Sequence, residues 1–406
     1  MVPRISAFAL VLFLASCVAQ PDAASAEQCA ARPAALTDLA AMRDAAKRSM
    51  AYPLGGGVTA DSVYADLETQ ARAAATKAEH LRVLEAFVYA LGDHHAHLSK
   101  NGPLSPRLVP SNASVWVESR NGDLVVAEVR SGSPARGAGL REGMVIERID
   151  GQPVSEALKP PPATPEYAEA MRGFAARVAL AGTHSHDAVI VARGAGAVEA
   201  RLSQPVEKDE GLASLNFPRP DVALIRLHNS IGNTDLTPVF SGIMKQAGKA
   251  KTIILDLRDT PSGGDSVVAK PLMAWFADGQ RGYQKHERGG KSWIERVNGR
   301  RDHFQGKLIV LVDHWTGSMG EGAAIGLRSA AGATLVGTPM AGLRGAIESF
   351  PVPCLGVSVR LPVERLYSVE GTPRELAAPD VVVTEAELAA AETRDAILER
   401  ALSLLR

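Results

Sequence analysis

The sequence predicts a multidomain α+β protein with a helical N-terminal part, a β-rich middle part and an α/β C-terminal part. With 406 residues, the chain exceeds the usual size of one hydrophobic core. The spacing of apolar residues changes from helical to alternating near Ser114, and after residue 207 short apolar runs alternate with helical segments. The expected parts are a leader at 1–26, a helical domain at 27–105, a β domain at 106–206 and an α/β domain at 207–406.

The N-terminal part is rich in good helix formers. Residues 35–50 and 61–90 contain many Ala, Leu, Glu and Arg residues, and their apolar positions recur at helical spacing. Three consecutive glycines at 55–57 interrupt the pattern. The sequence therefore predicts two helical blocks.

The middle part alternates as strands do. Residues 115–117 and 124–129 are expected strands, and Asn121-Gly122 is a hairpin-turn pair between them. Residues 132–154 then resemble a bacterial PDZ domain. The glycine-hydrophobic-glycine-hydrophobic run that usually precedes the first PDZ strand is missing near Ser114, so peptide capture and a spacer role both remain open.

The C-terminal part has the pattern of a buried parallel sheet with helices. Residues 222–227, 252–257 and 308–312 are short apolar runs. Helices are expected between and after them, at 238–248, 266–277 and 319–331. This alternation predicts an α/β core.

The first residues resemble an export signal. A basic start is followed by an apolar run at 5–14, too short to span a bilayer. Leu14-Ala15-Ser16-Cys17 resembles a lipobox, which favours lipidation of Cys17, and 24–26 offers an ordinary cleavage site as the alternative. We therefore expect an exported envelope or periplasmic protein, in contact with the membrane only through such an anchor.

Composition limits the other partners. The formal net charge is −1 and no Lys/Arg-rich run occurs, which argues against nucleic acid. Beyond Cys17 only Cys29 and Cys354 remain. A disulfide and two free or buried thiols are both compatible with this pair, which is far apart in the chain.

Three segments have residue types suited to catalysis. Ser318 follows a buried strand and precedes a helix, where free backbone N–H groups can stabilise an oxyanion, although a helix N-cap is the simpler explanation. Segment 256–264 begins at a strand end and finishes with Gly263-Gly264, where the backbone can approach a ligand closely. Segment 91–98 contains His94, His95 and His97, and histidine is the usual general base near neutral pH.

Together these segments resemble the carboxyl-terminal-processing peptidases, also called tail-specific or tricorn-like serine peptidases. That family has an L-x-D-x-H motif, a PDZ domain, D-L-R with a glycine pair, and a strand followed by S-x-x-E. This chain has Leu91-Gly92-Asp93-His94-His95, then Asp256-Leu257-Arg258 with Gly263-Gly264, then Ser318-Met319-Gly320-Glu321. The resemblance implies a catalytic core of the ClpP/crotonase type.

The resemblance also implies roles. Ser318 matches the nucleophile, Gly264 the oxyanion glycine, and the N–H of Met319 the second donor. One branch uses a lysine base, but residues 336–345 contain no Lys, and Arg344 cannot deprotonate in its place. The tricorn-like branch uses His and Glu, which His95 and Glu375 match. His94 replaces a frequent Ser, so its supporting role stays open.

The implied activity is hydrolysis of peptide bonds through an acyl-enzyme, without a cofactor. The implied substrates are polypeptides, with their C-termini as the candidate recognition element. Glu375 is expected to orient His95 and to raise its pKa above the usual value of about 6.5, so that activity falls on the acid side of roughly pH 6–7.5.

The sequence also bears on three other functions. An α/β-hydrolase requires a His after its Ser, and no His follows His314. The histidines of 93–97 and 184–187 suggest a metallohydrolase. A catalytically decayed envelope protein that only binds peptides is the remaining alternative.

Overall fold

A computed structural model describes residues 29–30, 33–203, 210–391 and 394–405. The expected leader, with Cys17, lies outside the described residues. The helices are α1 Ala34–Ser49, α2 Ala60–Ala73, α3 Lys77–Ala90, α4 Pro134–Gly137, α5 Val154–Ala157, α6 Ala168–Ala181, α7 Leu236–Ala247, α8 Ser266–Met273, α9 Met319–Ala331, α10 Glu385–Ala390 and α11 Ala396–Ser403. The strands are β1 His97–Leu98, β2 Val115–Arg120, β3 Asp123–Val129, β4 Val145–Ile149, β5 Gln152–Pro153, β6 Val189–Arg193, β7 Ala197–Arg201, β8 Ala213–Arg219, β9 Val222–Leu227, β10 Thr252–Asp256, β11 Gln280–Arg288, β12 Lys291–Asn298, β13 Lys307–Val312, β14 Thr334–Gly337, β15 Ala346–Val352, β16 Val357–Tyr367 and β17 Val381–Val382.

The C-terminal part is built on a sheet of order β17-β14-β13-β10-β9-β8, in which only β8 pairs antiparallel. β10 and β13 are neighbours, so the loops that follow them leave the same edge of the sheet. A bridge between Thr260 and Thr316 holds the two loops side by side. The strand order and this bridge thus bring the glycine-rich turn and the Ser318 turn together.

The helices α1, α2 and α3 do not form a core of their own. Their buried residues pack with Val352, Val357, Val359 and Leu361 of the β15–β16 hairpin in one apolar cluster. Residue Asp38 of α1 is fully buried and accepts hydrogen bonds from the backbone N–H groups of Cys354 and Leu355 in that hairpin. The helical part is therefore structurally continuous with the C-terminal half.

Cys29 and Cys354 form a disulfide, with Cα atoms 5.5 Å apart. Of the two alternatives left open by the sequence, the structure has the disulfide. The bond joins residues 325 positions apart and fastens the start of the helical part to the hairpin turn.

The middle part is an antiparallel sheet of order β2-β3-β4-β6-β7, with α6 packed on β2. Asn121 and Gly122 have positive φ angles of 54° and 85°, as the expected hairpin turn requires. The hydroxyl of Ser114 donates to the carbonyl of Ser203 at 2.8 Å, so the two ends of this part meet. We call residues 114–203 the middle sheet region.

The middle sheet region packs against the edge of the central sheet through a buried polar contact. The ring of Trp116 stacks on His314 with centroids 4.8 Å apart. His314 Nδ1 lies 2.6 Å from Glu128 Oε2, which also accepts from the hydroxyl of Thr338 at 2.7 Å. Of the residues in this contact, His314 lies four positions before Ser318 in the chain.

The mixed α+β multidomain class is confirmed, and strand 222–227 and helix 319–331 have the expected bounds. The expected block 61–90 is instead two helices, because Thr76 starts α3 as an N-cap with Glu79. The hairpins β11–β12 and β15–β16 were not predicted. No helix within the described ranges is long and apolar enough to cross a membrane.

Candidate active site

Ser318 has an unusual backbone conformation at the start of α9. Its φ and ψ angles are 49° and −111°, a region that costs a non-glycine residue about 1–3 kcal/mol. Such strain persists only where surrounding contacts fix it, and it is common at functional sites. The positive end of α9 lies next to the hydroxyl-bearing residue, which favours negative charge there.

Small residues let the two loops approach. A Cβ added to Gly263 would lie 2.5 Å from Ser318 Cβ and 2.8 Å from the backbone nitrogen of Met319. A Cβ at Gly264 would collide with the backbone of Ile231. Gly263 thus contacts the serine turn directly, while Gly264, the expected oxyanion glycine, packs on the 231–232 backbone. The donor roles of Gly264 and Met319 stay predictions.

Glu321 connects the serine turn to the loop at 342–345. Its Oε2 accepts from the N–H of Ser318 at 2.8 Å and of Leu343 at 3.2 Å. Its Oε1 accepts from the N–H of Gly342 at 3.0 Å. The side chain is fully buried, and burial raises its pKa to about 7 even though Arg374 and these hydrogen bonds oppose the rise.

The same loop holds His95. Nδ1 of His95 lies 2.7 Å from the carbonyl oxygen of Arg344. A carbonyl oxygen only accepts, so Nδ1 carries the proton and, in the neutral ring, Nε2 keeps its lone pair. The backbone N–H of His95 donates to Asp93 Oδ1 at 2.8 Å. The ring is therefore fixed in the tautomer that a general base requires.

His95 is strongly held in its neutral form. Burial, followed by the positive charge of Arg374, lowers its pKa to about 3. The sequence-based expectation of a raised pKa is corrected here, because desolvation of the imidazolium exceeds any stabilisation from nearby carboxylates.

Glu375 does not orient His95 in this structure. Within the described residues no hydrogen bond joins Glu375 to His95, and Glu375 Oε2 has no partner. Its carboxylate lies close enough to Tyr52 to contribute, after burial, to raising the pKa of that phenol to about 12. The orienting acceptor is the Arg344 carbonyl. Nor is a hydrogen bond found between His95 and Ser318 in the described part of the chain.

The side chain of His94 packs against α6. Its ring stacks on Phe174 with centroids 4.4 Å apart, and its Nε2 accepts from Nε of Arg177 at 3.0 Å. Burial and the charge of Arg177 lower its pKa well below the usual value. His94 thus contacts the middle sheet region, and its supporting role stays a prediction.

The histidine segment does not form one cluster. Nδ1 of His97 donates to the carbonyl of His95 at 2.9 Å, while His94 and His95 have the different partners given above. In the second segment, Asp187 pairs with Arg107, and His186 pairs with Asp150. Over the described ranges, no group of three His, Cys, Asp or Glu side chains is arranged to hold a metal ion.

Asp256 and Arg258 stabilise the strand end. Arg258 makes two hydrogen bonds to the Asp256 carboxylate at 2.8 and 2.7 Å, and two to Asp395 at 2.7 and 2.8 Å. These pairs hold the pKa of Asp256 below its usual value against burial. The contacts are those of a structural pair that fastens α11 to the sheet edge.

A protein-family model matches part of the sequence, and solved structures match the fold. Residues 221–383 match the model of Peptidase family S41. Mature CPAF superposes with a TM-score of 0.63 at 14% identity, over 91% of this chain and 96% of that chain. The photosystem II D1 C-terminal processing protease gives 0.57 at 17% identity, over 90% and 98%. A putative peptidase from Parabacteroides merdae gives 0.56 at 15%, over 91% and 95%. No curated protein matches the sequence.

These matches define the class of protein. The matched segment includes the strained serine and belongs to a peptidase family model, so the protein is a serine peptidase. Its fold is also that of the D1 C-terminal processing protease over 90% of the chain. Within that class, residues 221–383 match peptidase family S41, the tail-specific family that the motifs of this chain resemble.

Sequence reasoning missed two contributions to the site. The Arg344 carbonyl is a backbone group, and no side-chain pattern reveals it. Arg374 directly precedes Glu375, yet its side chain is the buried one and it reaches the loop that holds His95.

Proposed function

We propose that this chain is an exported S41-type endopeptidase that cleaves polypeptides through an acyl-enzyme on Ser318, with His95 as the general base. One observation carries the proposal. The strained serine and the neutral histidine are attached to opposite ends of a single hydrogen-bonded path, Ser318–Glu321–loop 342–345–His95.

The proposed chemistry follows from the tautomer. Nε2 of His95 removes the hydroxyl proton of Ser318 as Oγ attacks the peptide carbonyl. The same proton then passes to the leaving amine, the C–N bond breaks, and the acyl group stays on Oγ. Water then attacks the ester as His95 takes its proton, the bond between Oγ and the acyl carbon breaks, and His95 returns the proton to Oγ as the acid is released. The N–H groups of Gly264 and Met319 are the proposed oxyanion donors.

Substrate binding must close the gap between His95 and Ser318, since hydrogen bonds of this kind often tighten only when substrate is bound. A base with a pKa of about 3 is weak, so the same step must make the ring more basic. Glu375 follows Arg374, whose charge acts on His95, and its carboxylate Oε2 has no hydrogen-bond partner in the described residues. We propose that it becomes the charge partner of His95 when substrate is present.

Export is supported by the disulfide between Cys29 and Cys354, because such bonds persist in oxidising compartments. Lipidation of Cys17 remains part of the proposal, and mass spectrometry of the mature N-terminus tests it. Residues 114–203 are proposed to act as a PDZ-like region that presents polypeptide ends to the cleft.

The direct test is labelling with a fluorophosphonate probe, followed by peptide mapping. Labelling at Ser318 of the folded wild type, absent from Ser318→Ala and from heat-unfolded protein, supports the proposal. Absence of labelling at Ser318 under conditions where the protein is folded contradicts it. Cleavage of an unfolded protein by the wild type, compared with Ser318→Ala, then tests the endopeptidase activity.

A further inference from the structure

The loop 342–345 is the only backbone segment in the described residues that contacts both the serine turn, through Glu321, and the ring of His95. Its position therefore decides where the proposed nucleophile and base lie relative to each other. A shift of this loop displaces the acceptor of His95 Nδ1 and two of the three donors of Glu321. Whatever fixes the loop is thus part of the catalytic geometry.

Arg374 fixes the loop through two of its carbonyl groups. Its Nη2 donates to the carbonyl of Leu343 at 2.8 Å and to the carbonyl of Gly345 at 2.8 Å. These carbonyls flank Arg344, whose own carbonyl holds His95. Arg374 is only 3% exposed. Its rigid, charged guanidinium therefore donates to the two loop carbonyls in a buried setting, where a hydrogen bond from a charged group is strong.

We propose that Arg374 is a positioning residue of this peptidase, which clamps residues 343–345 so that the Arg344 carbonyl holds His95 in its basic tautomer. The inference rests on the proposed function of Ser318 and His95. Within the described residues, the Arg374 side chain makes its hydrogen bonds to the loop and none to Ser318 or His95. It acts through the loop by its hydrogen bonds, and on His95 and Glu321 by its charge.

The charge gives the role a signature that simple packing lacks. The Arg374 guanidinium contributes, after burial, to the low pKa of His95, and it opposes the raised pKa of Glu321. Removal of the charge should therefore raise the pKa of both groups. The pH at which activity is lost on the acid side should move upward.

The test compares Arg374→Met, Arg374→Lys and a matched control, Arg328→Met. Arg328 also donates to a backbone carbonyl, that of Ala378, but it lies ten residues beyond Ser318 along α9, about 15 Å away. The rate constant for fluorophosphonate labelling of Ser318 is measured from pH 5 to 9. We expect Arg374→Met to lower this rate constant at least about 30-fold and to raise the pH below which labelling slows, the acid limb of the profile. Arg374→Lys, which keeps the charge and the donors, should recover to within about tenfold, and Arg328→Met should stay within about twofold.

A second readout does not need activity. In the Ser318→Ala background, NMR of ¹⁵N-labelled histidine reports the tautomer and pKa of His95 directly. We expect an Nδ1 proton in the parent, and a raised pKa or a mixed tautomer with Arg374→Met. If that variant does not fold, Arg374→Gln, which is neutral but polar, takes its place.

The outcomes separate the two claims. An unlabelled wild type overturns the proposed function, while the NMR result still judges the clamp. If the wild type is labelled, and Arg374→Met has the same labelling rate constant, the same acid limb and the same NMR signal of His95, only the positioning role of Arg374 is overturned. Equal losses in Arg374→Lys and Arg374→Met, with an unmoved acid limb and His95 signal, overturn it as well.

Discussion

Ser318 stores backbone strain that its neighbours maintain. Its N–H is held by Glu321, and Gly263 and Gly317 leave room for the turn on either side. Alanine at this position keeps the unfavourable φ of 49°, whereas glycine tolerates it. The strain and the hydroxyl can therefore be separated by substitution.

We predict that Ser318→Gly abolishes activity yet unfolds at a higher temperature than Ser318→Ala. Relief of the strain should exceed the extra chain entropy of glycine, by about 0.5–2 kcal/mol in the free energy of unfolding. Thermal unfolding of the two purified variants checks this. A less stable glycine variant would show that the turn is not strained.

Glu321 is expected to set the acid limit of activity. Its carboxylate accepts three N–H groups, and its pKa is about 7. As pH falls through that value the group gains a proton and loses accepting capacity, so the serine turn and loop 342–345 separate. His95, with a pKa of about 3, stays neutral over this range.

The predicted pH profile of kcat/KM therefore falls below about pH 7, while the NMR signal of His95 stays that of the neutral ring. Glu321→Gln places an amide NH₂ against backbone donors and should lower kcat/KM at least about 30-fold at every pH. A His95 titration that follows the activity would reassign the acid limb to the base.

At the scale of elements, the site depends on strand order. β10 and β13 are neighbours, so their following loops meet at one edge of the sheet, and the middle sheet region packs on that edge through Glu128, His314 and Thr338. All three side chains are buried, so each unmatched polar group there is costly.

We predict that Glu128 and Thr338 are coupled. In a double-mutant cycle with Glu128→Gln and Thr338→Val, the coupling in the free energy of unfolding should be about 1–3 kcal/mol. The Glu128→Gln variant should also raise the hydrogen exchange of residues 313–318. Additive effects on stability would mean that the two regions touch without mutual support.

Helices and strands with regularly spaced apolar residues were predictable from the sequence, whereas the packing between them was not. Strand 222–227 and helix 319–331 follow from apolar patterning and a glycine after the last helical residue. β15–β16 was missed because its buried residues face helices that precede it by some 300 positions, a pairing that no local pattern encodes. Ser318 and His95 were found through motif resemblance, whereas the Arg344 carbonyl and the Arg374 clamp required coordinates.

At the scale of the whole molecule, the first and last parts of the chain support each other. Helices α1–α3 and the β15–β16 hairpin share one apolar cluster, and the disulfide closes a loop of more than 300 residues. The segment with His95 lies between α3 and β1, which pairs with β16. Stability of this cluster therefore keeps the base in place.

We predict that the Cys29→Ser, Cys354→Ser double variant loses about 2–5 kcal/mol of stability. Reduction of the wild type should lower the unfolding temperature to a similar extent, with no effect of reductant on the double variant. Far-UV circular dichroism during thermal unfolding gives the measurement. Equal unfolding temperatures in all four samples would mean that the apolar cluster needs no covalent support.

The central claim, covalent catalysis by Ser318, is tested most directly by trapping the intermediate. The wild type is mixed with an activated peptide ester and quenched at intervals, and its intact mass is recorded. We predict a transient adduct with the mass of the acyl group, mapped to Ser318, that decays by hydrolysis and is absent from Ser318→Ala. Ester or peptide turnover without any adduct, retained by Ser318→Ala, would contradict the account.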